Sequence, residues 1–246
     1  MGRRGRIVVG VVVVVLVLIG AGAWWFLRDD PPEELSVEDV ADGEAGPIDD
    51  ASDGADGGLD GTWTIAEGDE SQAGLRIDES FVGGIADHTA VGRTAEVTGS
   101  VEIEGTTLAA AVFTVDLTVL EWSDAPGFPT DNRSVAMRDQ GLETATFPEA
   151  AFELTGPVEV DALPTGAAPV SAEITGDLTL HGVTKATTFA VEIARDGERL
   201  VVATAEPVPV VLADHDIEEP STPSIAGVAD EGTFEFLVVL VPEGPS

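Results

Sequence analysis

Few residues in this chain could do chemistry. There are three histidines, no cysteine and no tyrosine in 246 residues. The missing cysteines exclude disulfide frameworks, thiolate metal sites, haem attachment and thiol nucleophiles together. His181 precedes Gly182, with Lys185 close behind. As a general base it would need a nucleophile and an orienting acid in hydrogen-bond reach. No Gly-x-Ser-x-Gly elbow is present. A ring that bonds turn backbone and fixes register is the favoured role. His215 stands between Asp214 and Asp216. Neighbours on a strand point to opposite faces, so these three cannot converge on one ion. A turn with local Asp-to-backbone bonds fits them better. His88 follows Asp87 in what reads as a loop, and Glu143, Glu149 and Glu153 read as solvated. No catalytic set and no metal site emerge, and the chain reads as a non-enzyme.

The elements around these residues sort by charge. Acids number 46 and bases 11, a net charge of −35, which argues against nucleic acid as a partner. Residues 1–28 hold three arginines before an uncharged run, 7–27, that ends in Trp24-Trp25-Phe26-Leu27. As a helix that run spans roughly 32 Å, enough for a hydrocarbon core of roughly 30 Å. Basic residues before it and aromatics at its far end predict a single-pass membrane anchor with the rest of the chain outside the cytoplasm. The alternative is a cleaved signal peptide with Ala21-Gly22-Ala23 as its site, leaving a secreted protein. Residues 29–60 hold thirteen acids and no base. They read as a disordered acidic tether, because they cannot bury enough apolar surface to offset ordering. The run from Asp50 lacks the glutamate that a calcium loop carries at its twelfth position, Gly61 here.

Residues 61–246 are the expected folded domain, and their dominant period is two. From Leu108 to Leu120 one face is Ala109, Ala111, Phe113, Val115, Leu117 and Val119. Val97, Val101 and Ile103 alternate with Glu96, Thr98, Glu102 and Glu104. Ile174, Leu178 and Leu180 oppose Thr175, Asp177 and Thr179, and Phe234, Phe236, Val238 and Leu240 oppose Glu235. One apolar and one polar face marks antiparallel sheet. Glu104-Gly105, His181-Gly182, Asp196-Gly197 and Glu231-Gly232 punctuate the strands. Residues 133–142 alone read as helical. The strands are long, and the inward set mixes large with small, Gly99 beside Val101 and Gly176 beside Leu178. Such a pattern suits an antiparallel β-barrel of about eight strands, able to hold one small ligand or to fill itself with side chains.

Specific motifs narrow this reading. Gly176-Asp177-Leu178-Thr179-Leu180-His181-Gly182-Val183-Thr184-Lys185 resembles the signature of the YceI-like domain family. Gly141-Leu142-Glu143-Thr144-Ala145-Thr146-Phe147-Pro148 through Phe152, the pair Arg138-Asp139, and Asp214 and Ile217 with Pro220-Ser221 are similar to further family segments. Val91-Gly92-Arg93-Thr94 and Val97-Thr98-Gly99-Ser100-Val101 fit its early strands. Trp63 stands where the family commonly has tyrosine, and the Asp214-His215-Asp216 turn lacks its usual aromatic.

The resemblance implies a lipocalin-like barrel in an extracytoplasmic compartment, with no catalytic residues to carry over. Some members bind polyisoprenoids or related amphiphiles inside. The expected lumen residues are Val101, Ile103, Ala111, Phe113, Val115, Leu117, Phe152, Leu154, Ile174, Leu178, Leu180, Phe189, Val191, Phe234 and Phe236. Arg133 and Arg138 are read as salt-bridge partners or as head-group contacts at the barrel mouth. No cofactor is expected beyond an isoprenoid or quinone ligand. The partners read from the sequence are the membrane, through the N-terminal helix, an amphiphilic lipid, and a second copy in a homodimer. A filled barrel that recognises a protein is the competing function. A continuous apolar cavity of several hundred Å³ would separate the two.

Overall fold

The computed structural model describes residues 31–41, 58–68, 70–81, 87–123, 131–221 and 225–244. The run 7–27 lies outside these residues. No helix among the described residues is long and apolar enough to cross a membrane.

Eight antiparallel strands close on themselves. They are β1 (Gly61–Ile65), β4 (Val97–Glu104), β5 (Thr107–Asp116), β7 (Glu149–Leu154), β9 (Val170–Leu180), β10 (Val183–Asp196), β11 (Arg199–Thr204) and β13 (Ile225–Pro242). Each pairs with the next in that order, and β13 pairs back to β1, where Trp63 faces Pro242 and Ile65 faces Leu240. Closure leaves these strands without a free edge. The architecture is an all-β, lipocalin-like barrel.

The long β13 serves two neighbourhoods. Its last residues pair with β11 and β1, while its first part pairs with β2 (Gln72–Phe81) and β12 (Val208–Val211). Register shifts between Ile225 and Gly227 and between Val228 and Gly232 fall in the part paired with β2. Bulges of this kind bend a strand so that it can leave one sheet direction for another. β3 (Asp87–Thr94) and β6 (Glu121–Trp122) extend the wall beyond β2, and β8 (Val158–Glu159) pairs with β5.

Where the alternation is uninterrupted, the fold follows it. β9 and β10 keep register from Leu180↔Val183 to Val170↔Ile193. Their turn is His181-Gly182, with φ of 52° and 74°. Two left-handed residues give the turn a twist that matches its strands. In β5 a bulge overrides the pattern. Glu102 pairs with Ala110 and Ile103 with Leu108, so Ala109 is skipped. Leu108 is therefore the buried residue there, in place of Ala109, while Val119 lies past the strand and is 48% exposed. His88 is on β3, opposite Glu79, with both buried, and not in a loop.

One end of the barrel is covered by a cap in two parts. The first is α2 (Asp131–Ala136), the π-helical turn Met137–Gly141 and the segment to Pro148. The second is a 3-10 turn, Leu212–His215, and the chain to Ser221. Their seam is direct: the Ser221 amide donates to Gln140 Oε1 at 3.2 Å, and Pro220 lies beside Gly141.

Residues 31–41 of the acidic zone depart from the tether reading. Residues 31–41 lie along the outer wall, ending in the single helical turn α1 (Glu38–Ala41). Leu35 and Val37 are buried at 7% and 2% exposure, against Ala194, Val201, Ala203 and Leu237. Two apolar residues spaced i, i+2 in an extended stretch lie on one side of the chain, and the pervasive acidity concealed them. The rest of the zone up to Gly57 lies outside the described residues.

Candidate functional site

The lumen is built from the inward faces of the eight strands. It holds a cavity of about 190 Å³ whose lining is almost wholly apolar. β4 supplies Val101 and Ile103, and β5 supplies Ala111, Phe113 and Val115, with Leu117 just beyond its end. β7 adds Phe152 and Leu154; β9 adds Ile174, Leu178 and Leu180; β10 adds Phe189 and Val191; β13 adds Phe234 and Phe236. Every lumen residue read from the sequence thus faces the cavity. The alternation missed the cap residues Met137, Leu142, Leu212 and Ile217, which close one end of the space. They belong to irregular segments that have no period to read.

The cavity is narrower than the several hundred Å³ expected, and aromatic packing explains why. Phe189 lies at the centre of an edge-to-face group, with ring centroids 5.3 Å from Phe152, 5.3 Å from Phe234 and 6.1 Å from Phe236. Such pairs add about 0.5–1.5 kcal/mol each beyond area burial. Two glycines make room for the rings. A Cβ on Gly176 would fall 2.3 Å from Phe152 Cζ. A Cβ on Gly99, whose φ is +155°, would fall 2.5 Å from Phe113 Cδ1. Ring and glycine thus form complementary halves of the wall, as the mixture of large and small residues suggested. A dry apolar cavity of roughly 150 Å³ suffices to bind benzene, so this space is large enough for an apolar group of modest cross-section.

Polar groups enter the wall at one place. Glu235 alternates with the lumen phenylalanines on the opposite face of β13, yet it is 1% exposed. Arg76 Nε meets its Oε2 at 3.0 Å, and Arg93 meets its Oε1 through Nε at 3.0 Å and Nη2 at 2.7 Å. The Leu35 amide donates to Oε2 at 3.3 Å. The two guanidinium groups also donate to the carbonyls of Pro32 and Glu33. A buried carboxylate is tolerated only with its charge and lone pairs satisfied, and here two arginines and the docked 31–41 segment do this. Arg76 and Glu235 also border the cavity. The sequence could not reveal this cluster, because its members lie far apart in the chain. A wider polar groove of about 630 Å³ lies outside the barrel, between Pro32, Arg93 and Trp122.

Arg138 is on the π-helical turn, where its Nε pairs with Asp139 at 2.9 Å in an exposed position. It does not line the cavity. Arg133 lies on α2, and its side chain is outside the described part of the structure.

His181 occupies the hairpin end under the cap, buried, with its ring centroid 4.2 Å from that of Phe147. Its Nε2 lies 3.0 Å from Glu143 Oε2, and its Nδ1 donates to the His215 carbonyl at 3.1 Å. His215 Nδ1 in turn donates to the carbonyls of Leu180 at 3.3 Å and Val183 at 3.1 Å. His181 thus bonds the backbone of the distant 212–215 turn and not that of its own hairpin, and it also pairs with the half-exposed Glu143. Among the described residues no group of three or more His, Asp or Glu side chains could hold a metal ion.

Comparison with known proteins agrees with this geometry. Curated proteins offer no match. Among solved structures, a polyisoprenoid-binding domain from Saccharophagus degradans implicated in plant cell wall breakdown superposes with a TM-score of 0.54 at 18% identity. The match covers 74% of this chain and 98% of that one. Burkholderia cenocepacia BcnA gives a TM-score of 0.47 at 17% identity over 68% of this chain and 95% of that one. A Campylobacter jejuni YceI protein gives 0.43 at 12% identity over 61% and 82%. The family model described as YceI-like domain matches residues 63–240, the span that builds the barrel, its lumen and its cap, and the chain therefore belongs to the YceI-like domain family.

Proposed function

We propose that this protein binds a polyisoprenoid, a quinone or another amphiphilic lipid inside its barrel, outside the cytoplasm, while anchored to a membrane by residues 7–27. The apolar lumen cavity carries this reading. Membership of the family and the fold shared with a polyisoprenoid-binding domain support it. The uncharged run and the arginines before it support the anchor.

The physics favours exchange over storage. Burying a methylene from water gains about 0.8 kcal/mol, but a membrane lipid is already out of water. Moving it from bilayer to lumen is then nearly neutral, apart from shape and polar contacts. A narrow lumen suits a linear run of isoprene units better than a bulky ring system.

The aromatic group around Phe189 favours a second reading, a self-filled barrel whose outer surface recognises a protein. Native mass spectrometry of the full chain after incubation with geranylgeraniol, ubiquinone and phospholipid vesicles separates the two. The lipid reading expects an added mass equal to one guest. A bare-chain mass under every condition supports the filled barrel instead.

A further inference from the structure

We infer that His181 is the positioning residue that latches the cap over the lumen, through two bonds that together need both of its ring protons. The inference rests on the lumen-binding reading for its purpose, but its geometry stands by itself.

Three observations converge on one barrel end. Among the described residues, the non-glycine positions with positive φ are Glu143 (45°), His181 (52°) and Asp216 (55°). Left-handed backbone outside glycine costs of order 1–3 kcal/mol and persists where surrounding structure enforces it, often at clamps and switches. All three positions belong to the junction of hairpin and cap. Second, His181 joins the two halves of the cap: Nε2 meets Glu143 of the first, and Nδ1 meets the His215 carbonyl of the second. Third, these halves supply cavity lining, including Leu142 and Ile217. The latch therefore controls a wall of the lumen, not a remote turn.

The bonding sets a sign for pH. A carbonyl and a carboxylate both accept and neither donates, so both bonds form together only when both ring nitrogens carry protons. A neutral ring that keeps the His215 bond turns a lone pair toward Glu143. The cap is therefore held by both bonds while the ring carries two protons, and loses one of them when rising pH removes a ring proton. Glu143 and the His215 carbonyl face the ring, and Phe147 packs against it. Asp214 and Asp216 flank His215, and Lys185 follows on β10; all three side chains are exposed. Arg138 and Asp139 pair with each other on the cap.

Two substitutions isolate the latch. His181→Asn keeps a residue that favours this turn conformation but cannot reach both partners. Glu143→Gln offers an amide able to pair with the ring in either protonation state. Hydrogen exchange at the Thr144, Ile217 and Ser221 amides reads the cap, because these amides hold its internal bonds. Stopped-flow uptake of 1-aminoanthracene reads the opening. In the full chain, protection corrected for intrinsic rates should fall about tenfold from pH 5.5 to pH 8.0, and uptake should quicken by a similar factor. His181→Asn should be open at both pH values, and Glu143→Gln should not change between them. Equal wild-type protection at both pH values overturns the latch, whether or not the probe binds. A cap that loosens while no probe enters overturns lumen binding, and the gating role with it.

Discussion

Phe189→Ala tests whether the lumen is a site or merely a core. Phe189 is 8% exposed and touches three other phenylalanines across the barrel. Truncation removes roughly 100 Å³ of ring, and an uncollapsed void of that size costs about 2.4 kcal/mol at about 24 cal/mol per Å³. Lost transfer free energy of the ring adds about 2 kcal/mol. The expected loss, about 4 kcal/mol, lowers the unfolding midpoint by roughly 8–16 °C in a domain of this size. The cavity meanwhile grows from about 190 Å³ toward the roughly 300 Å³ at which ordinary ligand pockets begin. Geranylgeraniol at a hundredfold excess over its Kd should restore about 2.7 kcal/mol. Thermal and urea unfolding with and without the alcohol measure both quantities. A loss below about 1.5 kcal/mol with no restoration would mean that the barrel collapses around the gap, and the lumen argument would fail.

Other substitutions probe the parts that shape and brace the wall. Gly176→Ala places a methyl 2.3 Å from Phe152 Cζ and 2.5 Å from the Glu153 carbonyl. It should destabilise by about 1–3 kcal/mol and lower 1-aminoanthracene affinity as the ring is pushed inward; unchanged affinity would contradict the ring–glycine account. Glu235→Gln leaves two partly buried arginines without their buried counter-charge and should cost about 3 kcal/mol in urea unfolding, with proteolysis within residues 31–41 as the structural readout. Leu35→Asp should expose the same segment to protease at a cost of about 2–3 kcal/mol, leaving probe uptake intact because Leu35 packs on the outer wall.

The lumen was legible because burial on one face of a strand writes itself as alternation. Phe234, Phe236, Ile174 and Leu178 could be assigned inward from their spacing alone, and all four line the cavity. Alternation failed where the backbone left its period. The bulge at Ala109 moved Leu108 to the inside, and no propensity marks that bulge. It failed again at Glu235, where a polar residue on the outer face is covered by chain from the other end of the molecule. The arginines that neutralise it sit on β2 and β3, and only the folded sheet brings them together. The size of the space was beyond pattern altogether. Composition lists the phenylalanines, but their ring orientations decide how much room they leave.

A methyl-resolved NMR titration of the full chain with geranylgeraniol reads the guest's location most directly. Binding in the lumen should shift the methyls of Ile103, Leu154, Ile174, Leu178 and Val191, leaving those of the exposed Val112, Val119 and Val211 unmoved. Shifts confined to the exposed set, or none at saturating alcohol, would contradict an interior site.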